Sequence, residues 1–501
     1  MHILTIDQGT TGTTAMVLEI SKSCPVKILG QDTQNFPQYF LNGDWVEHDL
    51  DEIWNSAALA VKNALEKAKI VGSQIDSIGI TNQRETVCFF DRVTSAARRK
   101  AIVWQCKRSS QICRDNRDLE PTINAKTGLL LDPYFSASKI KWVFENETAL
   151  KSECENGKTV VGTIDTFLLH RLTGAKVFAT EMSNASRTLL FNIHTLQWDM
   201  DLLKIFSVKN KDCLAQVCES SHKFGVTKGL TFLPDGIPIT GILGDQQAAL
   251  AGQACLAEGS AKCTYGTGAF LLVNAGNSVK KSRAKLLSTI AWTVSSKTTY
   301  ALEGSVFVSG AAVQFIRDQF KFIDHSSAIE QLADIGKAAP DLFFVPTLSG
   351  LGTPQWNPRA RGAFLGLTRG TSISDMARAT LEGMALQVAD LLTAAQNDLP
   401  APISSLAVDG GASANNLLMK LQASYADIPI LRPKIIESTG LGAGFFAALG
   451  AGFFADIKEI SAQKENDVEF KPGFLPPLDV TRHKNRWKKA INAVEIFAAE
   501  E

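Results

Sequence analysis

The sequence predicts an α/β protein of two large domains with a ligand-binding cleft between them. A length of 501 residues is too great for one hydrophobic core. A strand, a Gly-Thr turn and a second strand are predicted at residues 3–20, and the same layout returns at residues 262–273. Two such turns, one in each half of a duplicated fold, could hold phosphate through backbone N–H groups. The stretch from Gly241 to Phe270 lies midway along the chain, where the cleft of a two-domain protein would be.

Composition argues against several classes of protein. Lys plus Arg and Asp plus Glu each number 51, so a formal net charge of zero gives no field that would attract nucleic acid. A hydrophobic fraction of 45% is typical of a globular protein. The first residues lack the features of a secretion signal, and the nine cysteines show no C-x-x-C pair. We therefore expect a cytoplasmic protein with reduced thiols, no zinc site and no membrane span.

The amino-terminal hairpin is the first predicted element. Apolar residues predict strands at 3–7 and 13–20, joined by the turn Gln8-Gly-Thr-Thr-Gly12. A plain hairpin turn would give the same pattern. Asp7 at the end of the first strand favours a functional turn, because a carboxylate there could hold hydrated Mg²⁺ against bound phosphates.

The remainder of the first half alternates helices with strands. Apolar residues at helical spacing predict an amphipathic helix at 49–70. A strand predicted at 75–81 leads to Arg84 and Glu85, which could bind hydroxyl groups at the carboxyl end of the strand, although a surface ion pair is the alternative. Further predicted elements are a strand at 101–105, which carries Trp104, and a helix at 137–145, which follows Tyr134.

The second half begins around Asp245, a lone acidic residue between a glycine and two amides. We interpret Asp245 as a catalytic base and Thr267 as a phosphate contact. The aspartate could instead cap a helix predicted at 246–255, and both roles are compatible. Further helices are predicted at 307–320, at 374–397 and within the uncharged stretch 438–455, which should be buried and closely packed.

A double glycine marks the last predicted turn. The strand predicted at 406–409 runs into Gly410 and Gly411, and a helix should begin near Asn415. A flat ring could approach the backbone there, although a simple strand-to-helix turn would show the same pattern.

Other nucleotide and hydrolase motifs do not fit. Residue 152 is Ser where a Walker loop ending at Thr159 needs Gly. The run from Gly442 to Ala447 matches the dinucleotide fingerprint, but no convincing strand precedes it, so a packed helix is favoured. The sequence contains neither G-x-S-x-G nor H-E-x-x-H, which leaves a hydrolase or metalloenzyme without support.

Nine short motifs in order resemble the carbohydrate kinase family with the actin and hexokinase fold, and within it the glycerol kinases. They are Asp7–Thr11, Thr81–Glu85, Val103–Cys106, Asp132–Ser136, Ser183–Thr188, Gly244–Ala248, Thr264–Gly268, Ala301–Gly304 and Val408–Gly411. The resemblance implies two actin-like (ribonuclease H-like) ATPase domains, a polyol-binding one over residues 1–250 and a nucleotide-binding one over residues 251–501.

The resemblance also implies the reaction: ATP-dependent phosphorylation of glycerol to sn-glycerol 3-phosphate, the entry step of glycerol catabolism, in a homo-oligomeric kinase (dimer or tetramer). Asp245 would be the general base, and Asp7 would help to hold Mg²⁺. The polyol contacts implied are Arg84, Glu85, Trp104, Tyr134, Asp245, Gln246 and Phe270. The ATP contacts implied are Thr10, Thr11, Gly12, Thr267, Gly310, Gln314, Gly411 and Asn415. The stretch 241–270 would then be the hinge, with the base on one domain and the phosphate turn on the other.

One position departs from the glycerol kinase pattern. That pattern continues Gly-Thr-Thr with Ser-Ser-Arg, and here Thr14 stands where the arginine would add positive charge near the phosphates. Two alternatives stay open: a kinase for a pentulose, tetritol or another polyol, and a weakly catalytic actin-fold protein that regulates a partner. Trp104 and Phe270 favour a three-carbon substrate because aromatic walls leave less room. Asp7 and Asp245 favour catalysis.

Overall fold

Two large mixed β-sheets organise the chain. A computed structural model describes residues 1–336, 340–464 and 468–499. The strands of the first sheet are β1 His2–Gln8, β2 Gly12–Glu19, β3 Lys27–Asn35, β4 Ser77–Asn82, β5 Ser221–Val226 and β6 Pro238–Gly244. The strands of the second sheet are β7 Ala261–Tyr265, β8 Ala269–Gly276, β9 Leu287–Val294, β10 Lys297–Val306, β11 Leu406–Asp409, β12 Ile430–Arg432 and β13 Val468–Phe470.

The two sheets repeat one arrangement. In the order β5-β6-β4-β1-β2-β3, strand β1 pairs antiparallel with β2 on one side and parallel with β4 on the other. In the order β9-β10-β8-β7-β11-β12-β13, strand β7 pairs antiparallel with β8 and parallel with β11. The internal duplication predicted from the two Gly-Thr turns is therefore confirmed.

Helices cover the sheets. The main ones are α1 Leu50–Ala68, α2 Ser136–Asn146, α3 Ile164–Leu172, α4 Asp245–Gly252, α5 Gly310–Phe315, α6 Ile373–Asp398, α7 Asn416–Ala426, α8 Ser438–Gly450 and α9 Pro477–Phe497. The amphipathic pattern of α1 buries Leu50, Ile53 and Ala57, and Asp49 caps it by accepting from the backbone N–H of Asp51 at 3.0 Å. None of the helices in the described ranges is long and apolar enough to cross a bilayer.

Shorter strands and helices connect the two sheets and the main helices. The short strands are Tyr39–Leu41, Trp45–His48, Cys88–Asp91, Ala101–Ile102, Thr159–Gly162, Ala179–Glu181, Phe191–Asn192, Gln197–Trp198, Gln216–Cys218, Phe343–Val345 and Ala363–Leu365. The short helices and helical turns are Gly72–Gln74, Ser110–Asp115, Arg117–Leu119, Glu120–Thr127, Thr148–Glu155, Met182–Ala185, Met200–Ile205, Lys211–Cys213, Ile316–Phe320, Ala328–Ile335, Gly411–Ala414 and Ile457–Gln463.

Helices α4 and α8 pack against each other between the two sheets. Helix α8 contacts β1, β4 and β6 of the first sheet, whereas α4 also contacts β7 and β8 of the second. Glycine makes the approach possible: a Cβ atom built on Gly442 would lie 1.9 Å from the carbonyl oxygen of Ala248. The run from Gly442 to Ala447 lies inside α8, so the predicted packed helix is confirmed and the dinucleotide turn is excluded.

Several predicted boundaries were wrong. The strand predicted at 101–105 ends at Ile102, because the chain turns where the N–H of Cys106 donates to the Val103 carbonyl at 2.9 Å. The helix predicted at 307–320 begins only at Gly310, after the extended strand β10 has ended at Val306. The helix predicted at 246–255 ends at Gly252, because the chain turns there and the Cys255 N–H donates to the Leu250 carbonyl.

Candidate active site

Asp245 begins helix α4 directly after β6. The residue preceding the helix is Gly244, so Asp245 is not the cap itself, but its Oδ1 accepts from the N–H of Gln246 at 2.6 Å. The Arg84 Nε atom lies 3.1 Å from the same oxygen. The Asp245 side chain stays 29% exposed, whereas that of Arg84 is 2% exposed. The carboxylate is thus oriented by a helix start and a buried cation and stays accessible from the cleft.

Arg84 and Glu85 follow β4 and are buried, so the alternative of a surface ion pair is wrong. Glu85 has φ +62°, a left-handed conformation that is uncommon for a glutamate. The Ser136 hydroxyl at the start of α2 donates to the Glu85 carbonyl oxygen at 2.9 Å and holds this turn. Strained backbone of this kind persists where the surrounding structure enforces it, typically at ligand sites.

Three aromatic rings form a wall beside these polar groups. The ring of Trp104 meets Tyr134 edge-on with 5.4 Å between centroids, and Phe270 edge-on at 6.5 Å. The indole Nε1–H donates to the Thr10 hydroxyl at 3.0 Å. Trp104 therefore links the first turn to β8, and the structure places Tyr134, a predicted polyol contact, next to Trp104 and Phe270, the predicted apolar wall.

Two residues that the sequence interpretation left without a role complete a buried ion network. Arg187 Nε lies 2.6 Å from Glu85 Oε1, and its Nη2 lies 2.7 Å from Glu303 Oε1. Arg84 Nη1 lies 2.6 Å from Glu303 Oε2. Burial raises the pKa of Glu85, whereas the charges of Arg187 and Arg84 outweigh burial and hold the pKa of Glu303 below its usual value. The only sequence signal was their presence in the motifs 183–188 and 301–304.

Lys262 is a further polar residue that sequence interpretation missed. It lies in β7 with its side chain buried, and its Nζ donates to Gln246 Oε1 at 2.5 Å and to Thr264 Oγ1 at 2.8 Å. Burial lowers the pKa of Lys262, and the carboxylates of Asp409 and Asp245 act against that shift. A lysine in a strand of apolar neighbours was the available signal. Its contact holds Gln246, the predicted polyol ligand beside Asp245.

Asp7 lies near the carboxyl end of β1 and is half-buried. Its register partner on β2 is Thr14, whose hydroxyl lies 2.9 Å from that of Thr33. Burial, and then the negative charge of Asp245, raise the pKa of Asp7 to about 7. Two neighbouring carboxylates of this kind suit a divalent cation, which would relieve their repulsion. Within the described ranges, no group of three or more His, Cys, Asp or Glu is arranged as a metal cage. Asp7 therefore supplies only part of a Mg²⁺ site. It fits a magnesium ion whose further ligands come from bound phosphates.

The turn between β1 and β2 is closed by one backbone bond, from the Gly9 N–H to the Gly12 carbonyl at 2.9 Å. Thr11 at its tip is exposed, and Thr10 is partly buried under Trp104. Both hydroxyls and Gly12 thus lie in one open turn beside Asp7.

The turn between β7 and β8 packs on the start of α5. The Thr267 carbonyl accepts from the N–H of Ser309 at 2.8 Å and of Ala311 at 3.1 Å. Gly310 is required there, because a Cβ would lie 2.6 Å from the Gly266 carbonyl oxygen. The Thr267 side chain and Gln314 one turn along α5 are exposed, so both are free to meet a ligand.

Gly411 and Asn415 lie between β11 and α7. Apart from its chain neighbours, no atom of the described residues lies within 4 Å of a Cβ built on Gly411, so space is open beside this backbone. The Asn415 Oδ1 caps α7 by accepting from the Leu418 N–H at 2.8 Å, which leaves its amide group for a ligand. A plain strand-to-helix turn and an adenine-binding turn are both compatible with this geometry.

Known proteins resemble this chain over nearly its whole length. It is 48% identical over 495 residues to a glycerol kinase of Bdellovibrio bacteriovorus, covering 98% of this chain and 99% of that one. It is 45% identical over 494 residues to a glycerol kinase of Myxococcus xanthus, covering 98% of each chain.

Solved structures share the fold. A Plasmodium falciparum glycerol kinase with ADP superposes with a TM-score of 0.89 at 33% identity, covering 98% of each chain. A gluconate kinase from Lactobacillus acidophilus superposes with a TM-score of 0.86 at 22% identity, covering 100% of this chain and 98% of that one, and supports the fold alone. The N-terminal domain model of the FGGY carbohydrate kinases matches residues 2–252, and the C-terminal domain model matches residues 261–451. The chain therefore belongs to the FGGY family of carbohydrate kinases.

Proposed function

We propose that this chain transfers the γ-phosphoryl group of ATP to a terminal hydroxyl of glycerol and forms sn-glycerol 3-phosphate. One observation supports the proposal: a charged pair, Asp245 with Arg84, occurs in a fold in which the rings of Trp104 and Tyr134 reach Phe270 on the second sheet. The two relatives named glycerol kinase, at 48% and 45% identity over 98% of the chain, support the same substrate.

The polyol is held by hydrogen bonds on one side and by rings on the other. Arg84 donates to glycerol hydroxyls, and Glu85 and Asp245 accept from them. Gln246, fixed by Lys262, adds an amide contact. The edge-on rings of Trp104 and Phe270 cover the carbon skeleton and limit the length of the chain that fits.

Asp245 acts as the general base. Its carboxylate accepts the proton as the terminal hydroxyl attacks the γ-phosphorus, and ADP leaves. Phosphoryl transfer depends mainly on positioning and charge stabilisation, so a base that is oriented by Arg84 and by the Gln246 N–H suits the reaction.

The ATP phosphates lie between the two turns in this proposal. Thr10, Thr11 and Gly12 contact them from the first sheet, and Thr267 contacts them from the second. Gly310, Gln314, Gly411 and Asn415 hold the nucleotide at α5 and α7. Asp7, together with the phosphates, would hold Mg²⁺, which would supply positive charge to neutralise the phosphates.

Lys262 adds a fixed cation close to this centre, in a chain whose first turn carries Thr14 in place of an arginine. Its ammonium group lies in the same charged cluster as Asp245 and Asp409. We assign it the role of holding Gln246 and offsetting negative charge around the base.

An ADP-release assay tests the proposal. Wild-type protein should turn over glycerol in preference to dihydroxyacetone, erythritol and xylulose. Asp245→Asn should lower kcat by about 10²–10⁴-fold, because the amide cannot accept the proton. Absence of turnover with all four substrates would exclude a small-polyol kinase. Unchanged glycerol turnover in Asp245→Asn would exclude Asp245 as the base.

We also propose a domain division near residue 250, a homo-oligomeric assembly (dimer or tetramer) and a cytoplasmic location. Light scattering of the purified chain distinguishes a monomer from these assemblies, and cell fractionation tests the location.

A further inference from the structure

We propose that Glu303 is a positioning residue that fixes Arg84 and Arg187 together and so presents Arg84 and Glu85 to the polyol. This inference rests on the proposed function and assigns a role to the two motifs, 183–188 and 301–304, that the reaction itself leaves unused.

Each carboxylate oxygen of Glu303 is committed to one arginine. Oε2 lies 2.6 Å from Arg84 Nη1, and Oε1 lies 2.7 Å from Arg187 Nη2. All three side chains are at most 2% exposed, so both contacts are shielded from solvent. Each arginine makes one contact to Glu303, and its further contacts to other side chains fix its orientation as well as its position.

Both arginines then reach residues that face the polyol. Arg84 Nε lies 3.1 Å from Asp245, and Gln247 Oε1 accepts from Arg84 Nη1 at 3.2 Å. Arg187 Nε lies 2.6 Å from Glu85, and the Arg187 guanidinium lies 5.8 Å from the Tyr134 ring centroid. Glu303 itself is not placed to touch the polyol in this scheme, because its two oxygens are already used.

Glu303 supplies one of the two negative charges that balance the buried arginines. Arg84 and Arg187 carry two positive charges, and Glu85 and Glu303 balance them in a buried site. With Glu303 neutral, two cations would compete for Glu85 and Asp245. Arg84 would then shift towards Asp245, and Arg187 would hold Glu85 more closely. Arg84 and Glu85 would therefore both be withdrawn from the substrate hydroxyls.

The contact also joins the two halves of the molecule. Glu303 lies in β10 of the second sheet, whereas Arg84 follows β4 of the first sheet and Arg187 follows the short helix Met182–Ala185. The polyol-binding geometry on one side therefore depends on a side chain supplied from the other.

Glu303→Gln in the full chain tests the proposal by steady-state kinetics. The amide keeps the shape of the side chain but loses its charge. We expect the KM for glycerol to rise at least 10-fold and kcat to fall, with the KM for ATP within 2-fold of wild type. A purely structural role would lower the amount of active enzyme and so lower apparent kcat, but it would leave the KM for glycerol unchanged.

Tyr300→Phe is the matched control. Tyr300 lies on the same strand, and its hydroxyl donates to the Ile193 carbonyl at 2.8 Å without touching either arginine. This variant should keep both KM values within 2-fold of wild type. Glu303→Asp, which keeps the charge and shortens the side chain, replaces Glu303→Gln if the glutamine variant does not fold, and a smaller rise in the glycerol KM is expected because only the two contacts to the arginines are lengthened.

Three outcomes would overturn the proposal. An unchanged glycerol KM in the folded Glu303 variant is one, and an equal rise in Tyr300→Phe is another. A parallel rise in the ATP KM would point to general distortion. If wild type itself does not phosphorylate glycerol, the proposed function fails first, which the wild-type assay shows before any variant is compared.

Discussion

At the scale of single residues, orientation decides what each charged group can do. Asp245 is positioned by two donors, the Arg84 guanidinium and the Gln246 N–H, and stays open to the cleft. The sequence interpretation identified Arg84, Glu85, Trp104 and Asp245, because each stands in a short motif. It did not assign Arg187, Glu303 or Lys262, because their roles come from contacts between residues up to 219 positions apart along the chain. A local sequence pattern gives no information about contacts between residues so far apart along the chain.

Trp104 should set the length of the polyol. Trp104→Ala opens space beside Phe270 and removes a ring from the glycerol carbons. We expect kcat/KM for glycerol to fall by about 10-fold or more, and the ratio of erythritol to glycerol turnover to rise. Competition assays with both substrates measure this ratio. Trp54→Ala removes an indole on α1, where the ring packs on Phe232, and should leave the ratio unchanged. A constant ratio in Trp104→Ala would contradict the assigned wall.

Asp7 should make the ligand-free protein less stable as the pH rises. Burial and Asp245 raise the pKa of Asp7 to about 7, so the folded state binds this proton more tightly than the unfolded state. Its contribution to stability is complete below the unfolded pKa of about 4 and is lost as the pH rises through about 7.

Asp7→Asn should remove this dependence. Without Mg²⁺ or nucleotide, we expect the variant to exceed wild type in Tm by roughly 2–4 °C at pH 8, with a smaller gap at pH 5. Thermal unfolding at both pH values measures the gap. Asp44→Asn controls for the loss of one negative charge at an exposed position. A Tm difference between Asp7→Asn and wild type that stays constant or decreases from pH 5 to pH 8 would contradict the raised pKa of Asp7.

At the scale of elements, the turns and strand ends were easier to predict than the helix limits. The hairpins around Gly12 and Thr267 were predicted because strand patterns flank them on both sides. Helix α5 begins three residues later than expected, since the Thr267 carbonyl accepts from the N–H of Ser309 directly before the helix. Tertiary contacts of this kind override local propensity.

Helix α8 leaves no room for added volume where it packs on α4. Gly442→Ala would place a Cβ 1.9 Å from the Ala248 carbonyl oxygen and force α8 away from α4, which carries Asp245. We expect a loss of stability of about 1–3 kcal/mol and a fall in kcat, measured by urea unfolding and ADP release. Gly370→Ala is the control, because the nearest atom to its Cβ is 3.9 Å away. Equal stability of the two variants would contradict the close packing of α4 and α8.

At the scale of the whole molecule, the base and the second phosphate turn belong to different sheets. Asp245 follows β6, and Thr267 lies between β7 and β8, as predicted for a cleft between two related halves. The duplication was predictable because strand and turn patterns repeat along the sequence. The packing of α8 on the first sheet could not be predicted, because the sequence of an apolar helix does not indicate which sheet the helix covers.

Binding of both substrates should draw the two sheets together. Glycerol with a non-hydrolysable ATP analogue should give a smaller radius of gyration than either ligand alone, since each ligand contacts groups on both sides of the cleft. Small-angle X-ray scattering measures this difference. Asp245→Asn should still close, because it keeps the shape of the site. An unchanged radius with both ligands present would contradict the hinge at residues 241–270.

The placement of α8 also bears on how the chain folds as it leaves the ribosome. Residues 438–450 cover β1, β4 and β6, which are synthesised within the first 244 residues. One face of that early sheet therefore stays bare until most of the polypeptide has emerged. A nascent chain with such a face is prone to aggregation, so a chaperone that binds apolar segments would act mainly during this interval. Ribosome-bound chains stalled before and after residue 450 should differ accordingly in chaperone occupancy.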